Sequence, residues 1–473
     1  MAKRKNILFL FADDMKYSTV SALGNPEIKT PNLDELARNG TSFVNAHIPG
    51  GTFAAVCMPS RAMLNTGRSL FHLNHFGESI PEEHALLGET FLRGGYNCFG
   101  TGKWHNCTRS YARSFNSGAE IFFGGMYDHW KVPVYSFDES KEYPNRFPDV
   151  MNPAYDNFVV SRTYDHINGG THSTDLFAGA ACDYLRNYDS DKPFYMYVAY
   201  MAPHDPRSMP QKFIDMYDLN DISLPPNFYE EHPFDFGISD VRDERLLPVP
   251  RDREAVKREI RDYYAIISHL DSTVGDIIET LKETGMYDDT IILFSADNGL
   301  AVGEHGLLGK QNTYEHSIKV PFIISGPGIP KNETRDNYIY LFDIFPTLCD
   351  YAGLPVPESV EGISFKAAIE DKEARTRECI YAVFADKVRS VKDYEYKLIE
   401  YKCGDMRRTQ LFCIKEDPYE QCDLFWNEEY QPIVTRLRKR LREEADKWDD
   451  LSSEEGQNFW LEYKRVKEEV WCY

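Results

Sequence analysis

Continuous apolar runs, each ended by polar or turn-forming residues, constrain the fold of this chain more than any other feature of its sequence. Four such runs occupy residues 7–12, 194–202, 290–295 and 321–325. They lack the regular alternation of apolar and polar side chains that a strand with one face in water shows. We therefore predict four strands that are buried on both faces of a helix-covered sheet.

Helical patterns lie between these runs. Apolar residues recur at spacings of three and four through residues 176–185 and again through residues 260–281. Thr174 and Asp175 precede the first pattern and are predicted to cap its helix. Strands that alternate with helices predict an α/β domain with a mainly parallel sheet. In such sheets the active site gathers at the carboxyl ends of the strands, which is where polar residues follow the apolar runs.

At 473 residues the chain exceeds the usual size of one hydrophobic core, so we expect a large and a smaller domain. In the last quarter the pattern changes to short strand-like runs, followed by an amphipathic helix; these segments are residues 380–384, 388–391, 396–401 and 431–448. We predict a catalytic domain over residues 1–370 and a C-terminal subdomain over residues 371–473. The subdomain would consist of a short antiparallel sheet, a helix and a tail.

Other segments have two interpretations each. Residues 124–170 and 205–254 are irregular and rich in Pro, Tyr and charge, so they either carry specificity or decorate the surface. The tail either docks onto the main domain, which we expect, or forms a dimer contact; its apolar residues include Phe459, Trp460, Val466, Val470 and Trp471. The sequence leaves the oligomeric state open.

Composition excludes several classes of protein. A net charge of −22 is unfavourable for nucleic-acid binding, which needs clustered Lys and Arg. No stretch approaches the roughly 20 apolar residues of a membrane span. The basic N-terminus is followed by too short an apolar run for a signal peptide, and the ten cysteines lack the spacings of a zinc site or disulfide framework. These features predict a cytoplasmic protein, although a chain with a trimmed leader would look the same.

The residues with the most specific chemistry begin at Cys57. The sequence Cys-Met-Pro-Ser-Arg at residues 57–61 continues to Thr66-Gly67-Arg68. On its own, Cys57 could be a buried structural cysteine. The whole segment, however, resembles the signature of the sulfatase family, in which this cysteine is converted after translation to formylglycine by a maturing enzyme.

Further elements that resemble the family pattern follow in order along the chain: Asp13-Asp14, Gly102-Lys103-Trp104-His105, Pro203-His204, Asp297-Asn298-Gly299, residues 306–310, and Asp417-Pro418-Tyr419-Glu420 near the C-terminus. The resemblance implies an alkaline phosphatase-like sandwich. In that fold a large, mainly parallel sheet is covered by helices and accompanied by a smaller C-terminal α+β subdomain. It also implies a sulfuric ester hydrolase.

The resemblance implies one divalent cation, held by Asp13, Asp14, Asp297, Asn298 and residue 57. Carboxylate and amide oxygens are hard ligands that suit Ca²⁺ or Mg²⁺, of which Ca²⁺ is the first expectation. Asp-Asp and Asp-Asn-Gly are also common turn sequences. The metal assignment therefore depends on their joint membership in the family pattern.

The resemblance also implies how sulfate would be removed. The aldehyde of residue 57, once hydrated, has one hydroxyl to attack sulfur and a second whose deprotonation expels sulfate; a serine or cysteine lacks the second. The implied roles are a diol contact for Arg61, a bridge from the diol to sulfate for Lys103, a base for His105, an acid for His204 and a sulfate contact for Lys310. Compact ammonium charges and imidazoles suit these tasks.

The substrate is less constrained. His129, Trp130, Asp205 and Arg207 are candidates for the pocket, where Trp130 would stack on a sugar and Arg207 would pair with a uronate. Our first expectation is a small sulfated mono- or oligosaccharide, with simple aryl or alkyl sulfates as the alternative. Two rival functions are a phosphonate or phosphate ester hydrolase of the same superfamily and a non-catalytic binder of sulfated glycans.

Overall fold

The computed structural model describes residues 4–143, 147–150, 159–162 and 164–463. Its strands are β1 (Asn6–Ala12), β2 (Gly40–Phe43), β3 (Ala46–His47), β4 (Gly50–Gly51), β5 (Asn97–Lys103), β6 (Ser117–Phe122), β7 (Pro133–Val134), β8 (Phe147–Val150), β9 (Val159–Arg162), β10 (His166–Ile167), β11 (Phe194–Ala199), β12 (Thr290–Ala296), β13 (Phe322–Ser325), β14 (Glu333–Arg335), β15 (Ile339–Tyr340), β16 (Ile380–Phe384), β17 (Val388–Lys392), β18 (Lys397–Cys403) and β19 (Met406–Phe412).

Its helices are α1 (Pro31–Arg38), α2 (Cys57–Thr66), α3 (Leu87–Arg93), α4 (Thr108–Ser114), α5 (Ser173–Arg186), α6 (Gln211–Ile214), α7 (Arg253–Glu283), α8 (Glu315–Ile318), α9 (Ile344–Ala352), α10 (Lys366–Glu370), α11 (Gln431–Lys447) and α12 (Glu454–Tyr463). Short 3₁₀ turns connect several of these elements. No helix in the described ranges is both long and apolar enough to cross a membrane.

The large sheet has eight strands in the order β14-β2-β13-β12-β1-β11-β5-β6. Strands β12, β1, β11, β5 and β6 run parallel to one another, whereas β13 is antiparallel to both of its neighbours. The apolar side chains of β1 are fully buried, as its uninterrupted apolar run predicts. Each such side chain contributes roughly 1.5–3 kcal/mol on burial. The predicted mainly parallel α/β fold is confirmed.

The structure corrects the ends of two predicted elements. The second apolar run leaves the sheet after Ala199, so residues 200–202 already belong to the connection towards His204. Helix α5 begins at Ser173, and its N-cap is His172, whose Nδ1 accepts a hydrogen bond from the backbone N–H of Thr174 at 3.2 Å. The predicted cap at Thr174 and Asp175 is therefore wrong, because an imidazole nitrogen two residues before Thr174 takes the place of the usual side-chain oxygen.

The smaller sheet has the order β19-β18-β17-β16-β4. Strands β16 to β19 are antiparallel neighbours and α11 packs on them, as expected for the C-terminal segment. The fifth strand, β4, comes from residues 50–51 and pairs in parallel with β16. The sheet is thus attached to the main chain just before Cys57. The domain boundary after residue 370 stays a prediction.

The tail packs differently from its predicted position. Trp460 of α12 donates from Nε1 to Asp450 at 3.1 Å, and the guanidinium of Arg389 lies 4.8 Å from the ring centre of Phe459. Both aromatic residues therefore join the core of the C-terminal sheet, and the expected docking onto the main domain is wrong for this part of the tail. Val466, Val470 and Trp471 lie outside the described residues.

Candidate active site

Two parallel strands deliver acidic and amide side chains to one edge of the large sheet. Asp13 and Asp14 follow β1, while Asp297 and Asn298 follow β12, whose last residue is in register with the last residue of β1. All four residues are buried. Ligand atoms of Asp13, Asp14, Asp297 and Cys57 lie within 4.8 Å of one another. Parallel register thus brings together residues that are almost 300 positions apart in sequence.

Cys57 is the first residue of α2, and its side chain is directed at this acidic cluster. Its Sγ lies 3.6 Å from Oδ1 of Asp14 and accepts a hydrogen bond from Nζ of Lys310 at 2.8 Å. The helix ends at Gly67, which adopts the left-handed conformation with φ of 66°. Burial raises the pKa of the Cys57 thiol well above its ordinary value. The encoded thiol therefore stays protonated at neutral pH.

Arg61, one turn along the same helix, is fully buried and joins two strand ends. Its Nε donates to Oδ2 of Asp297 at 2.9 Å and its Nη1 donates to the carbonyl oxygen of Lys103 at 2.7 Å. Its Nη2 has no hydrogen-bond partner and lies 3.7 Å from Oδ1 of Asp13. Nη2 can therefore donate a hydrogen bond to a ligand that binds between these residues.

Two lysines complete the positive side of the cluster. Nζ of Lys103 donates to Oδ2 of Asp13, and Nζ of Lys310 donates to Oδ1 of Asp14. Burial alone would raise the pKa of Asp14, but the charges of Lys310 and His204 outweigh it and hold the pKa well below its usual range. Asp297 behaves in the opposite way, because burial and the neighbouring Asp13 raise its pKa to about 7.

The donor atoms of the cluster fit a hard divalent cation. Oδ1 of Asp13 and Oδ1 of Asn298 are buried oxygens without a hydrogen-bond partner. The amide nitrogen of Asn298 donates to Oδ1 of Asp14 at 2.7 Å, which leaves the amide oxygen as the free atom. Buried polar atoms without partners are costly, and oxygens are the preferred ligands of Ca²⁺ and Mg²⁺. The residues present therefore suit such an ion.

Two histidines border the cluster. Nε2 of His204 lies 3.5 Å from Oδ2 of Asp14, while Nδ1 of His105 is buried and without a hydrogen-bond partner. Burial lowers the pKa of His204, with Asp14 acting against it; burial and Lys103 lower the pKa of His105 well below its ordinary value. A neutral His105 has the protonation state that a base requires.

The predicted pocket residues differ in their surroundings. His129 is fully buried and both its ring nitrogens are engaged, Nδ1 with Ser173 at 2.6 Å and Nε2 with the carbonyl oxygen of His204 at 3.0 Å. Trp130 lies edge-on to the ring of His172. The structure therefore places His129 behind His204, and its predicted contact with substrate stays without support.

The two charged pocket candidates are already paired. Arg207 donates to Glu259 at 2.6 Å and lies over the ring of Tyr263, with only 6% of its side chain exposed. Asp205 is bound by Arg242, whose Nη2 donates to Oδ1 at 2.9 Å. Glu259 thus already neutralises the guanidinium, although Nε of Arg207 has no hydrogen-bond partner. The predicted uronate contact therefore stays without support as well.

Residues 242–244 support the site and have no motif that identifies them in the sequence. Glu244 accepts hydrogen bonds from the backbone amides of Leu308 and Gly309, and Asp243 accepts one from the side chain of Gln311 at 2.8 Å. These bonds fix both sides of Lys310. Part of the irregular stretch 205–254 thus contributes to the site. Only its hydrogen bonds to residues 308–311 reveal this role.

An exposed pair of aromatic residues lies beside α2, the helix that begins at Cys57. The rings of Phe53 and Phe76 stack with centroids 5.5 Å apart, and their exposed fractions are 46% and 42%. The neighbouring backbone is tied to the catalytic segments, because Gln311 donates to the carbonyl of residue 54 at 2.9 Å and Asn106 donates to that of residue 77 at 2.7 Å. We call Phe53 and Phe76 the aromatic pair below.

Sequence comparison identifies the class of protein that this fold and site define. Residues 5–354 match the sequence model of the family described as sulfatase. Residues 303–447 match a second model, described as N-sulphoglucosamine sulphohydrolase, C-terminal. Since the first match covers well over half of the chain, the protein belongs to the sulfatase family of the alkaline phosphatase-like superfamily and is a sulfuric ester hydrolase.

Individual relatives agree with this assignment. The arylsulfatase of Clostridium perfringens is 29% identical over 469 residues, covering 94% of this chain and 95% of that protein. The N-acetylglucosamine-6-O-sulfatase of Bacteroides thetaiotaomicron is 23% identical over 525 residues, covering 96% and 88%.

Solved structures share the fold. One is a protein in complex with its substrate D-glucosamine-2-N,6-O-disulfate; its TM-score is 0.71 at 23% identity, covering 95% of this chain and 99% of that one. The phosphonate monoester hydrolase of Agrobacterium radiobacter has a TM-score of 0.72 at 20% identity, covering 94% and 96%. At these identities the likeness establishes the fold alone.

Proposed function

We propose that this protein hydrolyses the sulfate monoester of a small sulfated sugar, using a formylglycine made from Cys57 and one divalent cation. The observation that carries the proposal is the position of Cys57. Its Sγ lies in a buried cluster with ligand atoms of Asp13, Asp14 and Asp297, all within 4.8 Å, and within 2.8 Å of Nζ of Lys310. A structural cysteine has no need of such neighbours.

The cation would be held by Asp13, Asp14, Asp297, Asn298 and residue 57. Ca²⁺ is proposed before Mg²⁺, because Ca²⁺ tolerates a larger and less regular set of oxygens. When bound, the ion supplies positive charge for the sulfate and makes a nearby hydroxyl more acidic.

Formylglycine at position 57 would supply, as its hydrate, one hydroxyl that displaces the alcohol at sulfur and a second that later expels sulfate. Arg61, Lys103 and Lys310 surround this position and would offset the negative charge of the transferring group. His204 would donate a proton from Nε2 to the departing alcohol oxygen. His105 would then accept the proton of the second hydroxyl, so that sulfate leaves and the aldehyde returns.

A sugar substrate is supported by the relatives and by the surface next to Cys57. The relatives include an N-acetylglucosamine-6-O-sulfatase and an ulvan-active sulfatase from Formosa agariphila, the latter 28% identical over 465 residues. The aromatic pair offers a flat apolar surface of the kind on which the C–H face of a sugar ring stacks. A maturing enzyme that converts Cys57 is the implied partner.

Two measurements on one preparation test the proposal. Peptide mass spectrometry of residue 57, in protein from a host with a maturing enzyme, should find the aldehyde in place of the thiol. The same protein should hydrolyse 4-nitrophenyl sulfate and glucosamine sulfates faster than 4-nitrophenyl phenylphosphonate. Faster phosphonate turnover would favour the phosphonate hydrolase instead. Converted protein that binds sulfated sugars without turnover would favour the non-catalytic binder.

A further inference from the structure

Contacts of its Nδ1 atom and of its backbone carbonyl oxygen hold His204 in one orientation. Nδ1 lies 2.8 Å from the carbonyl oxygen of Asp205 and 3.3 Å from its Oδ1. A carbonyl oxygen only accepts hydrogen bonds, so the Nδ1–H of His204 is the donor and Nε2 is left to exchange protons with a ligand. On the backbone side, the carbonyl oxygen of His204 accepts a hydrogen bond from Nε2 of His129 at 3.0 Å.

Asp205 is itself fixed by Arg242. The guanidinium binds both carboxylate oxygens, Nη1 to Oδ2 and Nη2 to Oδ1, the latter at 2.9 Å. This two-point geometry prevents the carboxylate from rotating, which a single hydrogen bond would not do. Arg242 also donates to Asp243 at 2.6 Å. Asp243 in turn binds Gln311 beside Lys310. Residues 242 and 243 therefore support both His204, the proposed acid, and Lys310, the proposed sulfate contact.

Arg242 is poorly suited to bind a substrate anion directly. Two carboxylates, those of Asp205 and Asp243, already neutralise it. Asp205 is 16% exposed and faces the Nδ1 side of His204, away from the Nε2 that is directed at the acidic cluster. Both residues therefore lie behind the histidine.

We propose that Asp205 and Arg242 are positioning residues for His204, which they orient so that Nε2 protonates the departing alcohol oxygen. The inference rests on the proposed sulfatase function and deepens it. When the S–O bond to the alcohol breaks, the electron pair stays on that oxygen, and the imidazolium form of His204, protonated on both ring nitrogens, gives it the proton from Nε2 and becomes the neutral Nδ1–H tautomer. Alcohols with a high pKa need this proton to leave, whereas 4-nitrophenolate leaves without it. Loss of orientation should therefore slow sugar or alkyl sulfates much more than 4-nitrophenyl sulfate.

The test compares kcat and KM for a good and a poor leaving group. Positioned acids contribute on the order of 10²–10⁴-fold to a rate. We expect Arg242→Met and Asp205→Asn to lower kcat for a glucosamine sulfate by about 30-fold or more, and kcat for 4-nitrophenyl sulfate by less than about 3-fold. His204→Ala sets the upper limit of the effect. Arg242→Lys, which cannot bind both carboxylate oxygens at once, should be intermediate.

Arg245 provides the matched control. It lies three residues from Arg242 on the same turn and pairs with the exposed Asp240 at 2.7 Å. Arg245→Met should leave both rates unchanged. The aldehyde content at residue 57 is measured in every variant, so that reduced conversion is not mistaken for a kinetic effect. If Asp205→Asn unfolds, the two Arg242 variants still decide the question.

Two results would overturn the inference. Equal losses of kcat for both substrates would mean that the pair does not act through protonation of the leaving group. A rise in KM for sugar sulfates with unchanged kcat would mean that Asp205 or Arg242 binds substrate directly. Failure of the proposed function looks different, because wild-type protein with the aldehyde would then hydrolyse neither sulfate ester.

Discussion

At the scale of single residues, the chemistry of this protein depends on side chains whose surroundings make them unusual. The pKa of Cys57 is raised by burial, the pKa of Asp14 is lowered by Lys310 and His204 against the effect of burial, and Asp297 is shifted upwards to about 7. Such opposite shifts among neighbours are typical of functional sites. The sequence motifs predicted which residues come together in the site, but they did not predict the directions of these pKa shifts.

Replacing Cys57 by Ala should abolish turnover while the fold is retained. Alanine cannot be converted to the aldehyde, and removing one buried sulfur leaves only a small cavity. We expect kcat/KM for 4-nitrophenyl sulfate to fall by at least about 10⁴-fold, as when a catalytic nucleophile is removed. Thermal unfolding should change by only a few degrees. A folded variant with near-normal rates would contradict the mechanism.

Removal of the cation should affect both activity and stability. The unpartnered oxygens of Asp13 and Asn298 fit a metal ligand set, and an ion that binds only the folded state stabilises it by mass action. Dialysis against a chelator should therefore lower both the unfolding temperature and the rate, and Ca²⁺ or Mg²⁺ added back should restore them. Comparing the two ions identifies the native one. Full activity at metal levels below the protein concentration would exclude the cation.

At the scale of elements, the irregular segments have roles that their sequences did not reveal. Residues 242–244 bind Asp205, the backbone of Gly309 and the side chain of Gln311, although the sequence of this stretch shows no periodic pattern or motif. His172 caps α5 in place of the predicted residues. Both features depend on hydrogen bonds to the backbone of distant or adjoining segments, which composition and periodicity cannot indicate. Strands β1, β11, β12 and β13 and helices α5, α7 and α11, in contrast, were predicted because their apolar patterns are local, whereas the interior strands β2 and β5 were not predicted.

The aromatic pair should contribute to substrate binding more than to the chemical step. If a sugar stacks on Phe53 or Phe76, Phe53→Ala and Phe76→Ala should raise KM for glucosamine sulfates by about 5- to 30-fold, the loss of roughly 1–2 kcal/mol of stacking. The kcat should change little. The control position is Tyr419, an aromatic residue that is also exposed. Phe123 would not be suitable, because it is partly buried against the main core. Unchanged KM in both variants would exclude a stacking role.

At the scale of the whole molecule, a buried ion cluster joins the C-terminal sheet to α8 and to β3. Glu315 of α8 binds Lys392 of β17 at 2.7 Å and Lys397 of β18 at 3.0 Å. Lys397 also binds Glu420 at 2.7 Å, and Lys392 contacts His47 of β3 at 3.1 Å. The cluster lies on the same chain segment as Lys310, five residues away. The C-terminal sheet is thus attached to the segment that carries Lys310, the proposed sulfate contact.

Glu315→Gln should destabilise the protein strongly. The substitution removes the carboxylate that Lys392 binds and leaves Lys397 with Glu420 alone, and breaking a buried pair typically costs about 3–5 kcal/mol. Denaturant unfolding measures the change. Glu370→Gln is the control, because Glu370 forms an exposed pair with Lys366 that contributes about 0.5 kcal/mol or less. An equal free energy of unfolding in both variants would show that the buried cluster does not stabilise the attachment of the C-terminal sheet.

His47 predicts how stability depends on pH. It is fully buried, and burial, together with Lys392, lowers its pKa to about 4. The unfolded chain therefore binds more protons than the folded one between pH 4 and about 6.5, and stability falls as the pH drops through that window, by up to about 1.4 kcal/mol per unit. A His47→Gln variant should lose this part of the dependence. An identical slope in both proteins would contradict the assignment.

The sequence by itself determined strands β1, β11, β12 and β13, helices α5, α7 and α11, and the set of residues that meet at the strand ends. Apolar runs specify buried strands locally, and the polar residues that follow them are carried to one edge of a parallel sheet. The tertiary structure alone decided which loop residues support the site, that β4 joins the C-terminal sheet, and how Glu315 connects α8 to that sheet. These features consist of single contacts between distant segments, and such contacts leave no periodic pattern in the sequence.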